Sequence, residues 1–419
     1  MSSAHSVVKK ALGKETMQSI EGDLLAPKGF TAGTVSCGIN SPKGSRKDLI
    51  VINAGVSASA AAVFTTNKVQ AAPVILSRQH IQTGMAQAIV VNSGNANACN
   101  GEVGMGDAQE MSRLVAHGMG IPTEQVLIAS TGVIGRPMPM DVIRTGIQEA
   151  MTRLDPGTDQ DSAEAIMTTD TVPKSSAVQC DIHGKAATIG GIAKGSGMIC
   201  PNMATMIAIL TTDVTIAPGA LKAALKTAVG KSFNCITVDG DMSTNDTVFI
   251  LANGASGHPM ITKPSGTDYK AFVKALEFVC ADLAKKIARD GEGATKLVEI
   301  QVNGAQSDEE ARTIGMSVAN SALVKTAIYG HDPNWGRIIC AVGYADAESN
   351  PDTIDLFLCG HPLARDGQGL PLDEPMMRKE LEADEIPVVI DLKIGEGTAT
   401  IWTCDMSHEY VTINAEYTT

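Results

Sequence analysis

Short, nearly continuous apolar runs recur along this chain, and the stretches between them carry apolar residues at helical spacing. That alternation constrains the fold more than any other feature, because it is what interleaved strands and helices of an α/β protein look like in sequence. "AQAIVVNSGNANACNG" reads as a strand ending in an Asn/Gly-rich loop, with a helix expected from about Asp107 that puts Ala108, Met111 and Val115 on one face. "EQVLIAS" is a further strand, stopping at Thr131-Gly132. "APGALKAALKTAVGKSF" is a helix with Pro218 in its first turn. The longest helix is expected over "TDYKAFVKALEFVCADLAKKIARDG". There Phe272, Val273, Leu276, Val279, Leu283 and Ile287 form the buried face, Thr267 or Asp268 the cap, and Gly291 the end. "KLVEIQVNG" reads as a strand and "DEEARTIGMSVANSALVKTAIYG" as one more helix. The last hundred residues are richer in β, with "PVVIDLKI" and "ATIWTCDM" forming a hairpin candidate across Gly395-Glu396-Gly397. No repeat, low-complexity linker or clean domain boundary interrupts the pattern.

Composition narrows the function. The 419 residues can bury a large core, and 44% hydrophobic residues with 3% aromatics make that core one of Ala, Val, Ile, Leu and Met. A net charge of −13, with no basic run longer than a pair, argues against nucleic acid or an anionic membrane surface as partner. The nine cysteines are scattered without a Cys-x-x-Cys, as expected of reduced thiols rather than a disulfide framework or zinc site. "MSSAHSVVKKALGKE" lacks the apolar region of a secretory signal, and no apolar run reaches the ~18 residues of a membrane span. The chain reads as cytoplasmic.

Most common catalytic and binding motifs are absent from the sequence. The eight histidines never fall three or four residues apart, so no metal is expected. There is no Gly-x-x-x-x-Gly-Lys-Ser/Thr loop and no Gly-x-Ser-x-Gly elbow. What remains is hydroxyl chemistry around "KGSGMICPNMATMIAILTTD", residues 194–213, where a glycine-rich loop runs into an apolar segment. Thr205 lies at that transition, after small Ala204. A threonine hydroxyl needs a base to become a nucleophile, and one solution is the threonine's own α-amine, which requires a cut before it. A threonine at the edge of an apolar strand is also an ordinary strand residue, so the residues alone leave both readings open.

The segment closely resembles the central motif of the ornithine acetyltransferase (glutamate N-acetyltransferase) family of arginine biosynthesis, whose members cut themselves before the Thr of Met-Ala-Thr-Met. "SASAAAVFTTNKVQAAPV", "VVNSGNANACNG", "ASTGVIGRPMP", "IMTTDT", "TVDGDMSTNDTV", "DPNWGRIICAVG" and "YVTINAEYTT" resemble further family blocks in family order, from about Gly29 to Thr419. The resemblance implies a layered α/β sandwich of the aminopeptidase/ornithine-acetyltransferase type, N-terminal-nucleophile-like. It implies an α chain of residues 1–204, a β chain of residues 205–419 beginning with the nucleophile, and an α2β2 heterotetramer. Thr205 matches the nucleophile, Ala204-Thr205 the cleavage site, and Thr131 with Gly132 the oxyanion-stabilising pair. Thr168 (with Thr169 and Thr171 as alternatives), Lys194, Thr205, Glu292, Asn414 and Thr419 match substrate ligands. The implied reaction moves acetyl from N2-acetylornithine to glutamate with no cofactor; some family members also take acetyl-CoA as a co-substrate. An N-terminal-nucleophile aminopeptidase or amidase on the same fold, passing the acyl group to water, is the alternative. The chain departs from the family pattern at Cys200, His331, Glu416 and Thr418, none of them the nucleophile.

Overall fold

The computed structural model describes residues 17–157, 161–200 and 206–416. Two sheets organise them. The larger has nine strands: Met17–Ile20, Lys174–Ile182, Lys185–Lys194, Ile207–Thr212, Thr247–Ala252, Leu49–Phe64, Met85–Asn95 and Val126–Val133 lie side by side in that order, and Thr31–Val35 also pairs with Leu49–Phe64. The long strand Leu49–Phe64 thus serves two neighbours on one side, Thr31–Val35 along its first part and Thr247–Ala252 along its last. Ile207–Thr212 runs parallel to Thr247–Ala252, and Met85–Asn95 parallel to Val126–Val133, while the other pairs are antiparallel.

Both faces of this sheet are covered, which is why its central strands read as unbroken apolar runs. Ala208, Leu210, Val248 and Ile250 point to a core shared with the helices Pro218–Gly230 and Thr267–Arg289. Leu49, Val51, Ala88 and Val90 meet the helices Ala72–His80, Gly101–Met119 and Met140–Thr152. The intervening residues, among them Ile50, Ile207, Ile209 and Phe249, face the opposite way and are covered by Leu24, Leu25, Phe30 and Ile166. The second sheet has six strands, ordered Gln368–Gly369, His361–Arg365, Asp355–Leu358, Glu385–Asp391, Leu297–Ala305 and Gly397–Cys404. The helix Thr267–Arg289 lies between the two sheets, and Phe272, Leu276, Val279, Leu283 and Ile287 are fully buried as their spacing predicts, while Val273, expected on the same face, is half-buried at its edge. Each such side chain contributes about 1.5–3 kcal/mol of burial. No helix among the described residues is long and apolar enough to cross a membrane.

Four local expectations need correction. Glu385–Asp391 and Gly397–Cys404 do not form a hairpin; they flank Leu297–Ala305, one parallel and one antiparallel. The glycines between them serve close packing, since a Cβ at Gly395 or Gly397 would come within 2.3 or 2.2 Å of backbone atoms of Ala305 or Ser307. The expected single helix after Ser307 is two, Asp308–Ala319 and Ala322–Tyr329, because Ser321 caps the second by accepting from the Val324 N–H. Neither Thr267 nor Asp268 caps the long helix; Gly266 occupies that position, and Asp268 accepts from the His183 N–H at 2.7 Å. The helix expected from about Asp107 starts earlier, at Gly101.

Where the sheet, the long helix and the 167–172 loop converge, a lysine is buried between two carboxylates. Lys174 Nζ donates to Asp170 Oδ1 at 2.7 Å and to Asp290 Oδ2 at 2.6 Å, with all three side chains nearly inaccessible. The remaining carboxylate valences are filled by backbone and one hydroxyl: Gly195 N–H and Thr168 N–H donate to Asp170, and Thr171 N–H and its hydroxyl to Asp290. Burial alone would raise the Asp170 carboxyl, but the Lys174 and Lys194 ammoniums and the Gly195 N–H bring it down to about 2. Replacing Lys174 by Ala strands two buried charges, and a loss of about 3–5 kcal/mol in urea unfolding is expected. Because the folded Asp170 titrates below its unfolded value, its contribution is present above pH ~4 and disappears as pH falls through about 2. Stability measured between pH 4 and 2 should therefore fall less steeply in Asp170→Asn, by on the order of 2 kcal/mol.

Candidate active site

The ends of several large-sheet strands and the loops beyond them enclose a cavity of about 240 Å3. It is below the roughly 300–1,000 Å3 typical of drug-sized ligands and on the scale of an amino acid. Thr131, Gly132, Thr168, Thr169, Lys194, Glu292 and Asn414 all line it, although they span most of the sequence. Ala204, Thr205 and Thr419 lie outside the described residues.

Thr131 and Gly132 close the strand Val126–Val133 beside Ser93 and Gly94 of the neighbouring strand. Gly132 has φ = 129°, and a Cβ there would lie 2.3 Å from the Gly94 carbonyl carbon, so this position requires glycine. Asn245 secures the same corner by donating to the Ala96 and Ser130 carbonyls at 2.6 and 2.8 Å. Lys194 ends its strand opposite Ile207, and its Nζ lies 3.4 Å from the Thr131 hydroxyl. Burial lowers the Lys194 pKa, opposed by Asp170. A hydroxyl and a backbone N–H at a rigid strand end, with a buried cation beside them, can stabilise a developing alkoxide.

The three candidate threonines of the 167–172 loop divide. Thr168 and Thr169 line the cavity, whereas Thr171 turns its N–H and hydroxyl to Asp290. The buried Lys174 cluster fixes the loop, and Arg46 donates to the Met167 and Thr168 carbonyls from outside.

The opposite wall is acidic. Glu292 is 8% exposed; its N–H donates to the Ser196 carbonyl at 3.0 Å, and its carboxylate rests on Gly197, where a Cβ would come within 2.3 Å. Asn414, on the helix His408–Glu416, donates to Glu292 Oε2 at 2.8 Å. Asp239 accepts from the Met198 and Ile199 N–H groups at 2.6 and 2.9 Å and from the Tyr410 hydroxyl at 3.2 Å. Burial pushes both the Asp239 carboxyl and the Tyr410 hydroxyl up. With Asp239, Asp241 and Glu292 against Lys194, the cavity suits a ligand carrying amino groups and one carboxylate. Among the described residues no cluster of three or more His, Cys, Asp or Glu is placed to hold a metal ion.

Sequence reasoning missed Lys174, Asp170, Asp239, Asn245 and Tyr410. For Asp239 and Asn245 the available signal was the dense polar run "TVDGDMSTNDTV", which leads into the apolar strand Thr247–Ala252.

The ArgJ family model matches residues 31–419. The arginine biosynthesis bifunctional protein ArgJ of Symbiobacterium thermophilum is 48% identical over 403 residues, covering 96% of this chain and 100% of that protein. Its counterpart in Caldanaerobacter subterraneus subsp. tengcongensis is 46% identical over 408 residues, with coverages of 96% and 100%. Among solved structures, the Bacillus halodurans ArgJ protein is 45% identical, with a TM-score of 0.48, and covers 49% of this chain and 97% of its own. By its near-full-length match to the family model and to the Symbiobacterium and Caldanaerobacter proteins, the chain belongs to the ArgJ family.

Proposed function

We propose that this chain is a self-processing glutamate N-acetyltransferase that moves acetyl from N2-acetylornithine to glutamate, yielding ornithine and N-acetylglutamate. The observation that carries the reading is the convergence of Thr131, Gly132, Thr168, Lys194, Glu292 and Asn414 on one amino-acid-sized cavity in a chain of this family. In maturation the Thr205 hydroxyl attacks the Ala204 carbonyl carbon and the C–N bond breaks. Water then hydrolyses the resulting ester, leaving Ala204 with a carboxylate and Thr205 with a free α-amine.

In turnover the Thr205 oxygen attacks the acetyl carbonyl while its proton passes to that amine. The Thr131 hydroxyl and Gly132 N–H stabilise the oxyanion, assisted by the Lys194 charge beside Thr131. Collapse breaks the amide C–N bond, the proton moves to the departing ornithine nitrogen, and an acetyl-threonine ester remains. The amine of glutamate attacks the ester to release N-acetylglutamate. Glu292, oriented by Asn414, receives the amino end of ornithine; Lys194, Thr168 and the C-terminal Thr419 serve as the other substrate ligands. No cofactor takes part, and acetyl-CoA enters, if used, as an alternative acetyl donor. The assembly is α2β2 and the compartment the cytoplasm.

A denaturing gel of purified protein should give two bands, one beginning Thr-Met-Ile-Ala; one intact band that resists conversion overturns the reading. Thr205→Ala should remain uncut and lose acetyl transfer by at least about 10^4-fold. Acetylornithine hydrolysis without any need for glutamate would identify an aminopeptidase-like enzyme instead. Gly197→Ala pushes the Glu292 carboxylate, the far end of a flexible side chain, off its seat. An increase of about tenfold or more in KM for acetylornithine is expected, with the urea midpoint nearly unchanged.

A further inference from the structure

The loop over residues 239–245 forms one side of the cavity and is fastened at both ends. At its start the Asp239 carboxylate collects four donors: the Met198, Ile199 and Asp241 N–H groups at 2.6, 2.9 and 3.1 Å, and the Tyr410 hydroxyl at 3.2 Å. Further on, the Asn67 amide donates to the Met242 carbonyl at 3.1 Å and the Thr65 hydroxyl to the Ser243 carbonyl at 2.9 Å. Asp241 therefore stands on rigid backbone. Its carboxylate, on the cavity wall and open to solvent, meets no donor among the described residues. The other two carboxylates of the wall are engaged, Asp239 by its four donors and Glu292 by Asn414. Lys194, 2% exposed, already feels Asp170, Asp246 and Glu292. One fixed negative charge of the cavity is thus left without a counterpart.

We propose that Asp241 is the ligand for the side-chain ammonium of acetylornithine and so selects the acetyl donor. This rests on the acetyltransferase reading above, in which Glu292 takes the amino end of ornithine and the side-chain ammonium has no partner. With the substrate carboxylate toward Lys194, at the buried end of the cavity, the side chain extends toward the solvent side, where Asp241 stands. A carboxylate already held in place by its backbone receives that ammonium in a charge-assisted hydrogen bond with little reorganisation. The same charge acts in the opposite direction on the acetyl acceptor. Glutamate carries a carboxylate where ornithine carries an ammonium, so Asp241 attracts one substrate and repels the other. N-acetylglutamate keeps that carboxylate, and Asp241 favours its release.

The test compares wild type with Asp241→Asn, after N-terminal sequencing has shown whether each is cut. In a two-step exchange through an acyl-enzyme, kcat/KM for each substrate reports its own half-reaction. For the variant, kcat/KM for acetylornithine should fall about tenfold or more while that for glutamate rises about threefold. N-acetyl-L-norvaline, the same donor without the side-chain amine, gives a second readout. Wild type should prefer acetylornithine to it by about tenfold or more, and Asp241→Asn should take the two nearly alike. Asp241→Glu, which keeps the charge, should keep most of that preference. Equal losses for acetylornithine and glutamate, the mark of a merely structural role, overturn the proposal. So does an Asn variant that keeps the wild-type preference between the two donors, or one that stays uncut. If the Asn chain does not fold, wild type alone decides, since equal use of acetylnorvaline and acetylornithine also overturns the proposal. A wild type that moves no acetyl from acetylornithine to glutamate overturns the acetyltransferase reading itself.

Discussion

The buried contact of Lys174 with Asp170 and Asp290 ties together three parts of the molecule. Lys174 opens a strand of the large sheet, Asp290 follows the long inter-sheet helix, and Asp170 belongs to the loop that carries Thr168. Two like charges and one opposite, removed from water, are tolerable because nearly every carboxylate valence meets a backbone N–H or the ammonium. Those backbone donors belong to the residues that must be held still: Thr168, Thr171 and Gly195, the last being the residue after Lys194. The cluster fixes the frame of the site without entering it.

The site itself is assembled from strand ends. Gly132 packs against Gly94 so closely that no side chain fits, and Asn245 clips the ends of two neighbouring strands to the loop before a third. Glu292 and Asn414 come from opposite ends of the C-terminal half and meet over Gly197. Among the described residues that line the cavity, Lys194 is the one base facing acidic neighbours; burial lowers its pKa, and Asp170 behind it opposes that shift.

Periodicity made much of the fold legible. The buried face of Thr267–Arg289 and the strand Ile207–Thr212 follow directly from spacing, because burial on one stripe or on both faces leaves its mark on every residue. Pairing was less legible. The Gly395-Glu396-Gly397 turn looks like a hairpin, yet those glycines answer to backbone at Ala305 and Ser307, a neighbour some ninety residues earlier that no local pattern announces. At the site, Thr131, Gly132, Lys194, Glu292 and Asn414 came from family resemblance, since a lysine or glutamate in sequence looks like a solvated charge. Asp170 and Asp239 were missed for the same reason: each sits in a polar loop, and distant chain closes over it.

The strand order of the large sheet bears on what a cut before Thr205 would produce. Ile207–Thr212 and Thr247–Ala252 lie at the centre, with Lys185–Lys194 on one flank and Leu49–Phe64 on the other. One product would therefore supply the middle of the sheet and the other product both of its sides. Neither could leave without breaking two full ladders of backbone hydrogen bonds and uncovering the core on both faces. Severing the backbone would change the chemistry at one nitrogen and leave the mechanical continuity of the body intact, so the halves would behave as a single folding unit made of two molecules.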